Sequence, residues 1–515
     1  MTFRCLLFSS CCALAGADDL FDETKARTFF AFDTVSIPHT QNLKLKMRRP
    51  ERHPANPVLP RGAPGTPDAH GVQFYGSILR DGGKYRMWYV AFDDDLNNKV
   101  ASSRWRPAYA ESQDGLNWVK PDLGLVEFHG SRKNNLVHLG DAACGFVNLK
   151  VIKDESDPDP SRRYKMTSHV YFRHNTRLGT LLPWVSADGL TWKPVKEIKP
   201  LKAELRKADL LLPGVHVEPC GGLYQWNGQF VLTAQNALPG IQQYQGRVVR
   251  LYRSPDFVNW SSTSTLAFVR TPQHVYLGAG RSREGEQCHE GISVWNRSNM
   301  LLGIYGRWHG AAEWKGVTVD LGLVLSNDGE NFREPRHEWT FLKRGPDGAW
   351  DQGGLLQGQG FENIGDRTLI YFGAWDPRAT GGPEVPRGGV GIAFLPRDRF
   401  ADLIMDTNME GPGDYQLPQA TAELITAAFP LKRPEIYLNV DGLGAEASLR
   451  VELLDELEIP LQAFSGSKAA QVSQSGFQVP VKWPAEAALP ERARLRLVFE
   501  GKRRQDIKLS AIYLR

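Results

Sequence analysis

From residue 71 the chain alternates apolar and polar positions in short runs separated by turn residues. GVQFYGSIL (71–79) and KYRMWYVAF (84–92) flank Asp81-Gly82-Gly83. A period of two with such a break predicts a β-hairpin, because Gly supplies the positive φ of a tight turn. The same pair recurs as GGLYQW and QFVLTA around Asn227-Gly228, and as GISVW and MLLGIYGRW around 296–299. TLIYFGAW follows Gly365-Asp366, and FVNLKVI and RYKMTSHVYF are joined by a longer acidic loop. After each pair comes a third alternating run: PAYAES, LPWVSA, RVVRLYRS, DLGLVLS and GGVGIAFL.

Each third run leads into a near-copy of one turn. The copies read SQDGLNW (112–118), SADGLTW (186–192), SPDFVNW (254–260), SNDGENF (326–332) and a degenerate LPRDRF (395–400). Their aspartates, Asp114, Asp188, Asp256, Asp328 and Asp398, are spaced 74, 68, 72 and 70 residues apart. A regular period of this size predicts stacked supersecondary units. Five four-stranded meanders predict an all-β chain built as a five-bladed β-propeller. The repeated turn has a structural role: the acid bonds backbone N–H groups and the Trp or Phe packs between units.

The period stops near residue 430. EIYLNVDG, SLRVELLD, FQVPVKW, RLRLVFEG and IKLSAIYLR then predict a small C-terminal β-sandwich. The expected division is a leader at 1–17, a propeller at 18–403, a connector with a short helix at 404–430 and the sandwich at 431–515.

Composition narrows the function. The chain has 515 residues with 62 basic and 58 acidic side chains, a net +4 without a dense basic stripe, which gives no case for nucleic acid. No run reaches the length of a membrane span. Arg4, the short apolar stretch to Leu14 and Ala15-Gly16-Ala17 read as a cleaved secretory signal, so the mature chain is expected to be secreted or periplasmic. Cys144, Cys220 and Cys288 follow the leader; one disulfide with a free thiol and three buried thiols are both open.

In a propeller the innermost strand of each unit lines the axis, and its start shares a face with the loop between strands two and three. Those positions hold Asp68, His70 and Gln73 in unit one, Asn148 in unit two, His216 and Glu218 in unit three, His289 and Glu290 in unit four, and Gln357 and Gln359 in unit five. Glu218 and Glu290 each precede their unit's motif aspartate by 38 residues. The loops add Asp93-Asp94-Asp95, His174, Arg307, Trp308, His309, Trp375 and Asp376 as substrate-binding candidates. Carboxylates beside aromatic rings suit a carbohydrate, and paired carboxylates are the equipment of glycoside hydrolysis. Glu218 or Glu290 is the expected acid, its pKa raised by burial, and Asp68 the expected base. No cofactor is needed for that chemistry. The alternative is a divalent cation on His70, His216, Glu218, His289 and Glu290, and a non-catalytic glycan-binding propeller is a third reading.

HPANPVL (53–59), GKYRMWY (83–89), AESQDGLNWVKPDLGLVEF (110–128), QGQGFENIGD (357–366) and NVDGLG with VELLDE (439–456) resemble segments of the five-bladed propeller glycoside hydrolases. The resemblance is to families 32, 43 and 68 and their secreted bacterial relatives, over nearly the whole chain after the leader. It implies an acid on each of blades one, two and three; Asp68 and Glu218 stand at the first and third places, and Asn148 at the second.

Overall fold

A computed structural model describes residues 20–94, 105–140, 144–172, 175–195, 218–236, 247–261, 263–270, 285–311, 313–375, 387–406, 421–431, 435–484 and 488–515. The described residues form strands and short 3-10 turns, with no α-helix among them, so the chain is nearly all β.

The repeats fold as five antiparallel meanders, called here sheets I to V. Their lead strands are Gly71–Asp81, Cys144–Lys153, Glu218–Trp226, Gly285–Asn296 and Leu355–Ile364. In each sheet the second strand pairs with the lead and the third with the second. Sheet V takes its fourth strand from far upstream, where Glu51–Arg52 pairs with Val390–Pro396. Lead strands of consecutive sheets touch, I on II, II on III, III on IV and IV on V, and V touches I again. A parallel bridge from Gln359 to Ser77 joins V to I.

The repeated turn behaves as its sequence predicts in four copies. Asp114, Asp188, Asp256 and Asp328 each accept from the main-chain N–H groups two and three residues on. The turn also docks sheets. Tyr371 of sheet V donates to Gly115 O, Trp88 of sheet I to Gly189 O, and Tyr224 of sheet III to Gly329 O. In each case an aromatic donor on one sheet holds the turn of the next. The degenerate fifth copy differs: Asp398 accepts two hydrogen bonds from Arg297 instead of capping its own turn.

Two further six-stranded sheets share one apolar core. Leu403, Leu438, Leu509 and Ile512 of the first pack with Leu424, Leu449, Val451, Leu495 and Leu497 of the second. These sheets draw strands from both ends of the chain. Arg27–Phe30 pairs with Lys508–Leu514, His39–Gln41 with Ala422–Ile425, and Leu43–Met47 with Ala401–Met405. The strands at 27–30, 39–41 and 43–47 therefore pair within the last two sheets, while Phe30, Phe32 and Met47 also pack against Leu302, Ile304 and Phe372 of the repeats. The expected connector carries strands Ala422–Ile425 and Phe429–Pro430, and no helix among its described residues. The reason is that an edge strand's partner can lie hundreds of residues away, which local alternation does not reveal.

Candidate functional site

Every lead strand departs from a regular ladder once or more along its pairing with the second strand. The register shifts fall at Gln73/Ser77, opposite His169/Val170, at Glu218/Cys220/Gly222, at His289/Ile292 and at Gln357/Phe361. A bulge bends a strand and re-aims its side chains. Here the bulges bring polar groups of all five lead strands into mutual contact.

Most of these groups are amides that bond the main chain of a neighbouring sheet. Gln73 Nε2 donates to Val147 O, and Asn148 Nδ2 to Cys220 O. Gln359 pairs with both the N–H and the carbonyl of Leu223. Gln357 Nε2 donates to the carbonyls of His289 and Gly291. Ser293 Oγ has Gly221 O at 2.8 Å and Gln357 O at 3.0 Å, both within reach of its one proton. Buried bulges leave unpaired carbonyls, and these side chains satisfy them. In this structure the expected substrate-binding residues Gln73, Asn148 and Gln359 staple strands together.

The exception is the turn at His289 and Glu290. Glu290 adopts φ 61° and Gly291 φ 77°, both in the left-handed region. Such a conformation is costly for a side-chain-bearing residue and persists where the surroundings over-determine it. The determinants are visible. Glu290 N–H donates to Gln235 Oε1, Ile292 N–H to Thr233 Oγ1, and Gln357 grips the carbonyls on either side of Glu290. Gly221 packs against the turn so closely that a Cβ there would meet Ile292 N at 2.3 Å.

The His289 ring packs against both Trp308 and Trp375, with centroids 5.0 and 5.7 Å away, and the two indoles are 6.0 Å from each other. Its Nδ1 is 2.6 Å from Arg247 Nη1, and its Nε2 is 3.0 Å from the Tyr75 hydroxyl and 3.3 Å from Glu290 Oε1. A guanidinium only donates, so Nδ1 accepts and the ring proton sits on Nε2, facing Tyr75 and Glu290. Arg247 also covers the Trp308 ring at 3.9 Å. Trp308 is 1% exposed and Trp375 is buried, so both rings wall the histidine instead of offering a stacking face. The Glu290 side chain retains 13% exposure.

Lys150 lies beneath this turn, wholly buried in lead strand II, and was not singled out from sequence. Its ammonium donates to the carbonyls of Tyr75, Gly76 and Gln357. Burial pushes its pKa down to about 7, opposed by Cys220 and Glu290. Burial also pushes the Cys220 thiol up to about 12, which keeps it neutral and removes it as a nucleophile. Lys150, Tyr75 and Arg247 are the residues that sequence reading missed. The available signal for Lys150 was a cation inside the apolar run FVNLKVI.

Other expected site residues lie elsewhere. Asp68 is 1% exposed and accepts from Tyr89 and from Lys120, an ion pair at 2.5 Å, with Thr66 at 3.3 Å. None of these partners belongs to the His289 cluster. Arg307 and His309 project from the strand face opposite Trp308 and join Glu286, with His309 Nε2 also 3.0 Å from Asp320. His70 immediately precedes lead strand I, its N–H bonded to Phe92 O. Asp93 pairs with Arg106 at 3.4 Å. His216, Asp376, Asp95, His174 and the side chain of Glu218 lie outside the described residues. Among the described residues no three His, Cys, Asp or Glu side chains converge as a metal site.

No family model and no curated protein matches the sequence. Solved structures do resemble it. A glycosyl hydrolase from Bacteroides ovatus is 14% identical over 70% of this chain and 96% of that one, with a TM-score of 0.42. An N-acetylgalactosamine deacetylase from F. plautii, in complex with blood group B trisaccharide, is 15% identical over 69% and 96%, with a TM-score of 0.41. A family 43 arabinoxylan arabinofuranohydrolase from Bacillus subtilis, in complex with cellotetraose, is 11% identical over 87% and 97%, with a TM-score of 0.38.

Proposed function

We propose that this chain is a secreted or periplasmic, glycoside hydrolase-like enzyme that acts on an oligo- or polysaccharide by carboxylate acid/base chemistry. The proposed frame is a five-bladed β-propeller followed by a small β-sandwich that the N-terminal strands complete. Cyclic contact of the five lead strands supports the propeller, and the shared core of the two last sheets supports the sandwich. Export rests on the leader-like residues 1–17.

The observation that carries the chemistry is Glu290: a carboxylate in a strained turn, its side chain 13% exposed, 3.3 Å from His289 Nε2. A turn held in the left-handed region by neighbouring strands fixes the carboxylate's position, which proton transfer to a leaving oxygen requires. Glu218 is the proposed partner carboxylate. It opens lead strand III in register with Gln235, whose side chain receives the Glu290 N–H. Asp68, bonded by Lys120 and Tyr89, is reassigned to a structural role. A divalent cation on His289 is disfavoured, because Arg247 occupies Nδ1.

The test is sugar release from a panel of plant and algal glycans by purified protein, with and without chelator. Release that survives chelator and is lost in Glu290→Gln and in Glu218→Gln supports the proposal. Release abolished by chelator would replace it with a metal mechanism, and glycan binding without release would leave a lectin-like propeller.

A further inference from the structure

We propose that Lys150 is a positioning residue for Glu290, and that its ammonium ties together the strands that hold the His289–Glu290 turn, so that loss of its proton loosens that turn. The inference rests on the reading of Glu290 as the acid/base group for its functional meaning, but its structural content is independent of that reading.

The connections run outward from one atom. Lys150 Nζ bonds Tyr75 O and Gly76 O on lead strand I and, at 3.4 Å, Gln357 O on lead strand V. The same two anchored residues clamp the turn. The Tyr75 hydroxyl meets His289 Nε2, and the Gln357 amide bonds the carbonyls of His289 and Gly291, on either side of Glu290. Ser293, just past the turn, returns to Gln357 O. One ammonium on sheet II thus sets the spacing between sheets I and V that the turn on sheet IV requires.

A buried cation satisfied by carbonyl dipoles, with no carboxylate at ion-pair distance among the described residues, is poised to titrate. The charged and titratable groups facing it are Tyr75 from lead strand I, with its ring 6.0 Å from Nζ, Cys220 from lead strand III, and Glu290 with its neighbour His289 from lead strand IV. Lead strand V presents neutral Gln357, and the strand paired with Lys150 presents Thr167. Burial acts against the charge, and Glu290 and Cys220 act for it, with the balance near neutrality. A neutral amine has only two hydrogens for three carbonyls, so deprotonation leaves one of the three without a donor and weakens the knot.

The experiment is hydrogen exchange on full-length wild-type, Lys150→Met and Lys150→Arg protein, from pH 6 to 9, with rates corrected for intrinsic base catalysis. In the wild type, protection of residues 286–294 should fall by about tenfold across this range, while residues 448–454 and 492–500 stay constant. Lys150→Arg, which keeps its charge, should stay protected throughout; Lys150→Met should be unprotected at both ends. Protection in the wild type that does not change with pH overturns the proposal, even if Lys150→Met fails to fold. Sugar release measured alongside separates the two claims. If the wild type releases no sugar, the acid/base reading fails while exchange alone judges Lys150. If it does release sugar, its alkaline loss of activity should disappear in Lys150→Arg.

Discussion

Arg297 and Asp398 form a twofold ion pair, at 2.7 and 2.6 Å, from which both side chains are fully excluded from water. The pair joins sheet IV to the end of sheet V, and Tyr513 of the C-terminal sheets donates to the same carboxylate. Burial alone would raise the Asp398 pKa; the Arg297 guanidinium and the surrounding donors hold it below the usual range. Removing one partner strands the other charge in a dry site. Asp398→Ala is expected to cost about 3–5 kcal/mol, and Arg297→Met with Asp398→Leu to recover most of it. Urea unfolding of the three proteins measures both effects.

Gly189 and Gly82 both have positive φ, at 74° and 60°, yet they predict different outcomes. A Cβ at Gly82 meets nothing within 4 Å, whereas one at Gly189 would lie 2.8 Å from Trp88 Cζ2. Gly82→Ala should cost only the backbone term of about 1 kcal/mol. Gly189→Ala should cost about 1–3 kcal/mol more, because it also pushes sheet I off the turn of sheet II. Thermal midpoints of the two variants test this, and equal shifts would remove the docking role of the repeated turn.

Glu290 and Asp68 should separate chemistry from stability. Glu290→Gln is expected to lower sugar release by at least about 100-fold with an unchanged unfolding midpoint. Asp68→Asn leaves Lys120 without its charged partner and should lower the midpoint while the folded fraction keeps its turnover. Turnover per folded molecule, measured for both, distinguishes the roles. Loss of turnover in Asp68→Asn at full folding would restore it as the base.

The turn aspartates predict a common acid response. Burial is the largest single influence and raises their pKa, but main-chain N–H donors and the neighbouring side chains together outweigh it and bring Asp114, Asp256 and Asp328 down to about 2. Asp81, raised by burial but held by Lys153, Tyr164 and Arg86, also falls to about 2. A carboxylate depressed in the folded state contributes stability that is complete above its unfolded pKa, near 4. That contribution is lost as pH falls through 2. The urea midpoint should therefore drop steeply between pH 4 and 2, and less steeply in a variant with Asn at 114, 256 and 328.

The repeat was legible because its signals are local. Alternation within a run, Gly at a turn and the bond from Asp114 to Leu116 N–H all operate within a few residues. The same reading stopped at residues 39–47, where HTQ and LKLKM pair with partners more than 350 residues away. Polar residues at lead-strand starts carry no local mark of their partner. Gln73, Asn148 and Gln359 look alike in sequence whatever they bond, and the structure shows each donating to a carbonyl of a neighbouring sheet.

By itself, then, the sequence determined the unit, its strands, its turns and the count of its repeats, since each is written in side-chain period and turn chemistry over short distances. Only the tertiary structure decided which side chains meet. Lys150 contacts Tyr75 and Gln357, residues 75 and 207 positions away, and His289 contacts Tyr75 at a separation of 214. Such encounters follow from how five bent lead strands come together, and no local pattern encodes that geometry.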